Sequence, residues 1–268
     1  MEGEISMTFL GLWSLAGLLI LALVTGLWLL SLLLRDSSIV DIFWGAGFVV
    51  TAWVGLALVP GPAHARQWLI CLLVTAWGLR LSLHLLRRNW GRGEDFRYRG
   101  WRTEAGPPWW WRSFFKVFLL QGVVMWIVAA PLVGTLVGIV RERLIWVDAA
   151  AVLVWLIGFT FEALGDWQLA NFKANPANKG RLLTSGLWRY TRHPNYFGDA
   201  TAWWGHYLVA VSAGAWWTFF SPALMTFLLA RVSGVTMLES SLKEKKPGYR
   251  DYMENTSAFV PWTARRRR

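Results

Sequence analysis

MTFLGLWSLAGLLILALVTGLWLLSLLL, residues 7–34, carries no charged side chain. A helix of about 20 apolar residues crosses the hydrocarbon core of a bilayer, so this stretch reads as a membrane span with length to spare. The MEGEIS that precedes it is acidic and has no basic n-region, which makes the run a retained span and not a cleaved signal. Working outward, further apolar stretches lie near 38–60, 67–87, 113–140, 144–170, 196–213 and 215–239. The expectation is an all-α, polytopic integral membrane protein with about seven transmembrane helices, forming a single integral membrane domain over 1–268.

Composition agrees. The chain is 55% hydrophobic and 16% aromatic with a mean hydropathy of +0.38, which excludes an ordinary soluble domain. Its 21 tryptophans exceed the need of a packed core, and the indole ring is favoured at the headgroup level. A net charge of +11 in a soluble chain would suggest nucleic acid. Here the basic residues gather in alternate loops, so topology, anionic lipid or a cofactor phosphate explains them and no nucleic-acid partner is expected.

Arg87, Arg88, Arg92, Arg97, Arg99, Arg102 and Arg112 flank one connection. Lys173, Lys179, Arg181, Arg189 and Arg192 mark the next but one, and Lys243, Lys245, Lys246, Arg250 and Arg265–Arg268 the tail. With seven spans these regions share one side, which the positive-inside rule makes cytoplasmic, with the N-terminus outside and the C-terminus cytoplasmic. Connections near Pro60–Ala65, Arg141–Arg143 and Ala213–Ala215 are short and weakly charged. Cys71 stands alone, which excludes a disulfide framework and a thiolate metal site and leaves a buried inert thiol. His64, His84, His193 and His206 are too far apart for a local ligand motif, so no metal is expected.

Several polar residues fall where a membrane makes them costly. Asp41, in IVDIFWGAGF, sits about one turn into the second span, where a carboxylate faces a cavity or a partner. It reads either as functional or as paired with Arg80 or His84. Gly45 and Gly47 nearby permit close helix approach. Arg80, His84 and Arg87 follow spacings of four and three, so they share a helix face that either lines a polar cavity or is satisfied structurally. Glu162 and Asp166 stack four apart on the fifth span, followed by Gln168, Asn171 and Lys173, and must face protein or water. They neutralise Arg189 or Arg192, or bind ligand hydroxyls. PPWWW, Pro107–Trp111, reads as an interfacial anchor, with Lys116 able to snorkel and Gln121 deeper.

The densest polar segment is GLWRYTRHPNYFGD, Gly186–Asp199. Pro194 removes a donor and pushes His193 toward extended geometry, so the segment enters as a turn and restarts as a helix near Tyr196. A helix start with Arg189 and Arg192 beside it suits a phosphate; the alternative is a basic loop that only fixes topology. Downstream, Glu239 lies in LESSLKEKKPGYRDY, and Tyr249 and Tyr252 precede AFVP, a tail expected to fold back on the cytoplasmic mouth.

With that segment between two spans, the chain from about Ser38 to Trp262 resembles the steroid 5-alpha-reductase-like membrane proteins. It is most similar to their bacterial branch named by domain of unknown function 1295. The resemblance implies a bacterial inner-membrane protein with a cofactor-binding half over about 144–262 on the cytoplasmic side, and a lipid admitted from the bilayer. It implies an NADPH-dependent reductase of a carbon–carbon double bond in a steroid-like or other hydrophobic enone. Its cofactor cavity would draw on Asp166, Lys173, Arg192, His193, Asn195, Tyr196, Asp199, Glu239 and Tyr249. Steroid reductases place a Gln-Glu pair on the second helix and a Tyr on the third; here Val40-Asp41 stands near the first place and Arg80 or His84 near the second. Asp41 or His84, with Arg80 beside them, are then the candidate catalytic groups.

Isoprenylcysteine-type methyltransferases are similar too, and imply S-adenosylmethionine as the alternative cofactor. They pair Arg-His-Pro with a Glu-Glu on the last helix, where this chain keeps Glu239 and has Ser240. A lipid-binding or transport protein is the third reading, with Asp41, Arg80, Glu162, Asp166 and Asp199 as an ion path; the hydropathy shows no inverted repeat to favour it.

Overall fold

The computed structural model describes residues 7–139, 143–232, 235, 239 and 246–263. The acidic opening, Arg141, Ser240, Lys243, Lys245 and Arg265–Arg268 lie outside the described residues. Among the described residues the chain is all helical, with one isolated bridge, between Thr191 and Ser257, in place of any strand. Five helices among the described residues are long and apolar enough to cross a membrane: Phe9–Leu34, Ile39–Leu58, Ala65–Asn89, Trp109–Val128 and Trp146–Ala174. They fit a membrane protein in contact with lipid.

The chain divides into two compact units, one of residues 1–145 and 209–218, the other of 146–208 and 219–268. In the first, α1 (Phe9–Leu34) is capped by Thr8, whose hydroxyl accepts from the Gly11 N–H, and it ends at Arg35 in the left-handed conformation, φ 53°. Both devices satisfy backbone groups that a helix end leaves open. α1 is tied to α6 (Leu120–Val128) by a reciprocal indole pair. The Trp13 and Trp126 rings stack at 4.4 Å, and each N–H donates to the other's carbonyl, at 3.2 and 2.8 Å.

α2 (Ile39–Leu58) and α3 (Ala65–Asn89) meet backbone to backbone. A Cβ on Gly45 would lie 2.3 Å from the Gly78 carbonyl oxygen, and one on Gly78 would lie 2.5 Å from that of Gly45. Only glycine allows this approach, as the sequence suggested for Gly45. Cys71 is buried here, its thiol 3.7 Å from the Ala52 carbonyl.

Between α3 and the next span the chain forms α4 (Phe96–Ala105), capped by Asp95. The span itself is composite, running from α5 (Trp109–Ser113) through a π-helical turn over Phe114–Leu119 into α6. α7 (Ala130–Leu136), with Pro131 in its first turn, follows as a separate short helix. Its last carbonyls are met from α3, where the Gln67 amide donates to Leu136 at 2.6 Å. The stretch 113–140, expected as one span, therefore breaks at Ala129–Pro131, because proline has no N–H to continue the ladder.

The second unit is built on α8 (Trp146–Ala174) and the first part of α9 (Pro194–Ser212). A Cβ on Gly198 would lie 2.3 Å from the Glu162 nitrogen, so these two helices also touch through backbone. α9 is long enough to span, but Asn195, Asp199 and His206 lower its hydropathy and it is not among the five. Of the stretch 215–239, the described residues up to 232 form a turn at Trp216–Phe219, α10 (Phe220–Phe227) and a π turn at Leu228–Val232. A last short helix, α11 (Tyr249–Asn255), belongs to the tail.

Candidate functional site

Polar chemistry collects in two places, one in each unit. In the second unit it centres on Gly186–Asp199. α8 positions the entry to this segment: the Leu187 N–H donates to the Gln168 side-chain oxygen at 3.0 Å, and the Trp188 indole to the Gly165 carbonyl at 3.2 Å. Gly186–Arg189 forms one 3-10 turn, and α9 starts at Pro194, where a missing N–H costs nothing.

Between turn and helix, Arg192 is buried at 6% exposure. Its Nε donates to Glu239 Oε1 at 2.7 Å, and Nη1 donates to the carbonyls of Met253, at 2.9 Å, and Thr256. His193 Nε2 lies 3.3 Å from the same Glu239 oxygen, and its ring stacks parallel on Tyr196 with centroids 5.5 Å apart. Buried charges of opposite sign in such contact satisfy one another, which makes the group rigid.

The tail is part of this construction. Arg192 N–H donates to the Ser257 carbonyl at 2.9 Å, the Thr191 hydroxyl to Phe259 at 2.8 Å, and Trp262 N–H to Tyr190 at 2.9 Å. The Tyr252 hydroxyl donates to the Trp188 carbonyl. The expected return of the tail is thus observed, and it lands on the motif itself. Burial, with Glu239 beside it, pushes the Tyr249 phenol up to about 12.

Among the other residues singled out in this unit, Asp166 and Asn195 come together, the amide donating to the carboxylate at 3.1 Å. Glu162, Asp166 and Asp199 are all buried, and Lys173 and Arg189 are exposed. The segment therefore divides its labour. Arg192 holds the tail and Glu239, while Lys173 and Arg189 present charge outward.

The first unit holds the second cluster. Asp41 is met by three donors: Arg97 Nη2 at 2.9 Å, the Tyr98 hydroxyl at 2.7 Å and the Gln121 amide at 3.4 Å. Gln121 also donates to the Tyr98 oxygen at 3.2 Å. The Tyr98 hydroxyl both donates, to Asp41, and accepts, from the Gln121 amide. Burial first, then the Asp41 charge, raises Tyr98 well above an ordinary phenol. Arg80 and His84 lie half-buried on α3, one turn apart.

α4 is fixed by an adjoining pair that sequence reasoning passed over. Arg102 grips both oxygens of Glu94, at 2.7 and 2.8 Å, and the Ser37 N–H donates to the same carboxylate at 2.8 Å. Burial alone would raise Glu94, but these donors outweigh it and hold its carboxyl below the ordinary glutamate range. Tyr98 and Arg97 were also missed as partners of Asp41. They stand within RGEDFRYRG, whose arginines read as topology signals; the demand of an intramembrane carboxylate for donors was the clue. Among the described residues, no group of three or more His, Cys, Asp and Glu side chains is placed to hold a metal ion.

Comparison with known proteins gives a family and assigns no reaction. The profile of the DUF1295 family, described as a protein of unknown function, matches residues 27–256. An uncharacterized protein of Schizosaccharomyces pombe is 28% identical over 276 residues, 91% of this chain and 78% of that protein. No solved structure matches. The match over residues 27–256 covers most of the chain, and the protein belongs to the DUF1295 family.

Proposed function

We propose that the protein is a membrane oxidoreductase that reduces a carbon–carbon double bond of a steroid-like or other enone lipid with NADPH. The observation that carries this reading is the Tyr98 hydroxyl, bonded at 2.7 Å to Asp41 and at 3.2 Å to Gln121. Reduction of an enone develops negative charge on the carbonyl oxygen, which needs a positioned donor. The Tyr98 O–H, which donates to Asp41 in this structure, becomes such a donor when it turns to the substrate oxygen, while the Gln121 amide holds the phenol oxygen in place. Asp41 sets the hydroxyl's direction, Arg97 pairs with Asp41, and Tyr98 holds the proton.

The second unit has the donor set a nucleotide cofactor requires. Buried Asp166 and Asp199 and the Asn195 amide suit ribose hydroxyls and a carboxamide, while exposed Lys173 and Arg189 suit phosphate. Tyr196, stacked on His193, offers an aromatic surface. Bound there, NADPH supplies the hydride; the part of these residues is to bind and orient it.

One observation favours a second reading. Arg192, His193 and Glu239 share one buried oxygen contact, the grouping that the resemblance to S-adenosylmethionine-dependent methyltransferases implies. That reading has no use for the Tyr98–Asp41 pair, which is why the reductase is preferred. The test is turnover of NADPH by the purified protein with an enone lipid, in wild type and Tyr98→Phe. Loss of a positioned acid lowers kcat by about 10²–10⁴-fold, with KM for NADPH unchanged. Methyl transfer from S-adenosylmethionine, with no NADPH oxidation, contradicts the proposal.

A further inference from the structure

A second binding feature lies in the first unit, beside the Asp41 cluster, where α4 meets the start of the composite span; its Trp101 ring packs edge-on against Tyr98 with centroids 5.5 Å apart. A cavity of about 500 Å³ opens there, floored by Trp101, Trp109, Trp111 and Phe115. Arg112 and Lys116 line it, with Glu104 and Ala105 on the α4 side. The two cations stand four apart on one helix, at its entry into the π turn. Each rests on an indole: the Lys116 ammonium 4.6 Å from the Trp101 ring centroid, the Arg112 guanidinium 5.5 Å from that of Trp111. Among the described residues neither meets a carboxylate. Cation–π contact orients a charge without neutralising it, so both remain able to take an anion.

The surroundings identify the anion's source. This end of the span exposes Trp110, Trp111, Phe115 and Leu120, a face suited to the boundary between headgroups and acyl chains. An adjoining cavity of about 570 Å³ shares Trp109 and adds Arg35 at the end of α1. We propose that the cavity under Arg112 and Lys116 binds the headgroup of an anionic glycerophospholipid of the phosphatidylglycerol class. Arg112 takes the phosphate through two N–H donors and Lys116 as a point charge. Glu104 accepts from the headgroup hydroxyls, and the indole rings carry the glycerol backbone. With two cations and one carboxylate, the lining has a net charge of one, matched to a lipid that carries one negative charge.

The experiment measures binding of short-chain phosphatidylglycerol, short-chain phosphatidylethanolamine and inorganic phosphate to the detergent-purified full-length protein, by thermal shift across a concentration series. Phosphatidylglycerol is expected to stabilise most strongly. Each cation contributes about 1 kcal/mol near an anionic headgroup, so R112Q/K116Q weakens binding on the order of thirtyfold. R112K/K116R, which keeps both charges, retains binding within a few-fold. Because both side chains are exposed, the unliganded melting temperature of each variant stays near wild type, which separates loss of binding from loss of fold. Equal stabilisation by phosphatidylethanolamine overturns the proposal. So does equal stabilisation by inorganic phosphate, or a glutamine double variant that binds like wild type.

Discussion

Replacing Glu239 by glutamine keeps its volume and removes one charge, leaving Arg192 buried beside a neutral amide. At 2.7 Å two unit charges attract by roughly 6 kcal/mol at an effective dielectric of ~20, part of which offsets the cost of burying them. Removing one partner from such a pair costs about 3–5 kcal/mol, because the other charge stays desolvated. Arg192 retains the carbonyls of Met253 and Thr256, which places the loss near the lower figure, about 3 kcal/mol. For a chain of this size that corresponds to a fall in Tm of roughly 6–12 °C. The assay is thermal unfolding of the detergent-solubilised protein followed by tryptophan fluorescence.

A second variant checks the mechanism. Arg192→Met with Glu239→Leu removes both charges, and should lose less than the two single changes added together. A fall under about 2 °C for Glu239→Gln, or a double variant that loses the full sum, refutes the view that this pair holds the tail on the motif. The pair also changes what a Glu239 variant can report. Its loss is structural whichever cofactor binds, so Glu239→Ala does not separate a reductase from a methyltransferase.

Tyr98→Phe removes only a hydroxyl and is expected to depress turnover while leaving NADPH affinity intact; a parallel loss of cofactor binding contradicts its assigned role. Asp41→Asn is less clean, since it leaves Arg97 with Asp95 as its one carboxylate partner, and should lower turnover and, by a smaller amount, Tm. Glu94 has a carboxyl held below its unfolded value, so its contribution to stability is fully present above the ordinary glutamate range and is lost as pH falls through the depressed value. Melting curves of wild type and Glu94→Gln should therefore converge in acid; a gap that stays constant down to the lowest accessible pH removes Glu94 from the account. Gly78→Ala sets a Cβ 2.5 Å from the Gly45 carbonyl oxygen and should cost about 1–3 kcal/mol, read as a lower Tm; a neutral result means that α2 and α3 do not meet as described.

The fold was legible where hydropathy alone decides it. Residues 7–34 could be nothing but a span, and α2, α3 and α8 follow the apolar runs within a few residues. Legibility fell where proline and polar residues interrupt the pattern. Pro131 shortens the fourth span, Asn195, Asp199 and His206 lower the hydropathy of α9, and the seventh run breaks into short elements, so the expected seven spans stand against five helices that meet the apolar criterion among the described residues.

The site was half legible. Asp41 and Arg192 could be singled out because an ionisable group in an apolar context needs a partner, but sequence does not say which. For Asp41 the sequence offered Arg80 or His84, which share a face of another span. The partners that the structure supplies come instead from 56 to 80 residues away, on α4 and α6. Glu239 reaches Arg192 across 47 positions, a distance no periodicity records.

The central claim is that the Gly186–Asp199 region holds NADPH. It is tested most directly by thermal stabilisation of the detergent-purified protein with NADPH, NADH and S-adenosylmethionine at matched concentrations. A ligand at a hundred times its Kd stabilises the folded state by about 2.7 kcal/mol, well within reach of a melting measurement. The account predicts a shift with NADPH that exceeds that with NADH and is diminished in Asp166→Asn and Asn195→Ala. Stabilisation by S-adenosylmethionine alone contradicts it, and would make the Arg192, His193 and Glu239 group part of a methyl-transfer site.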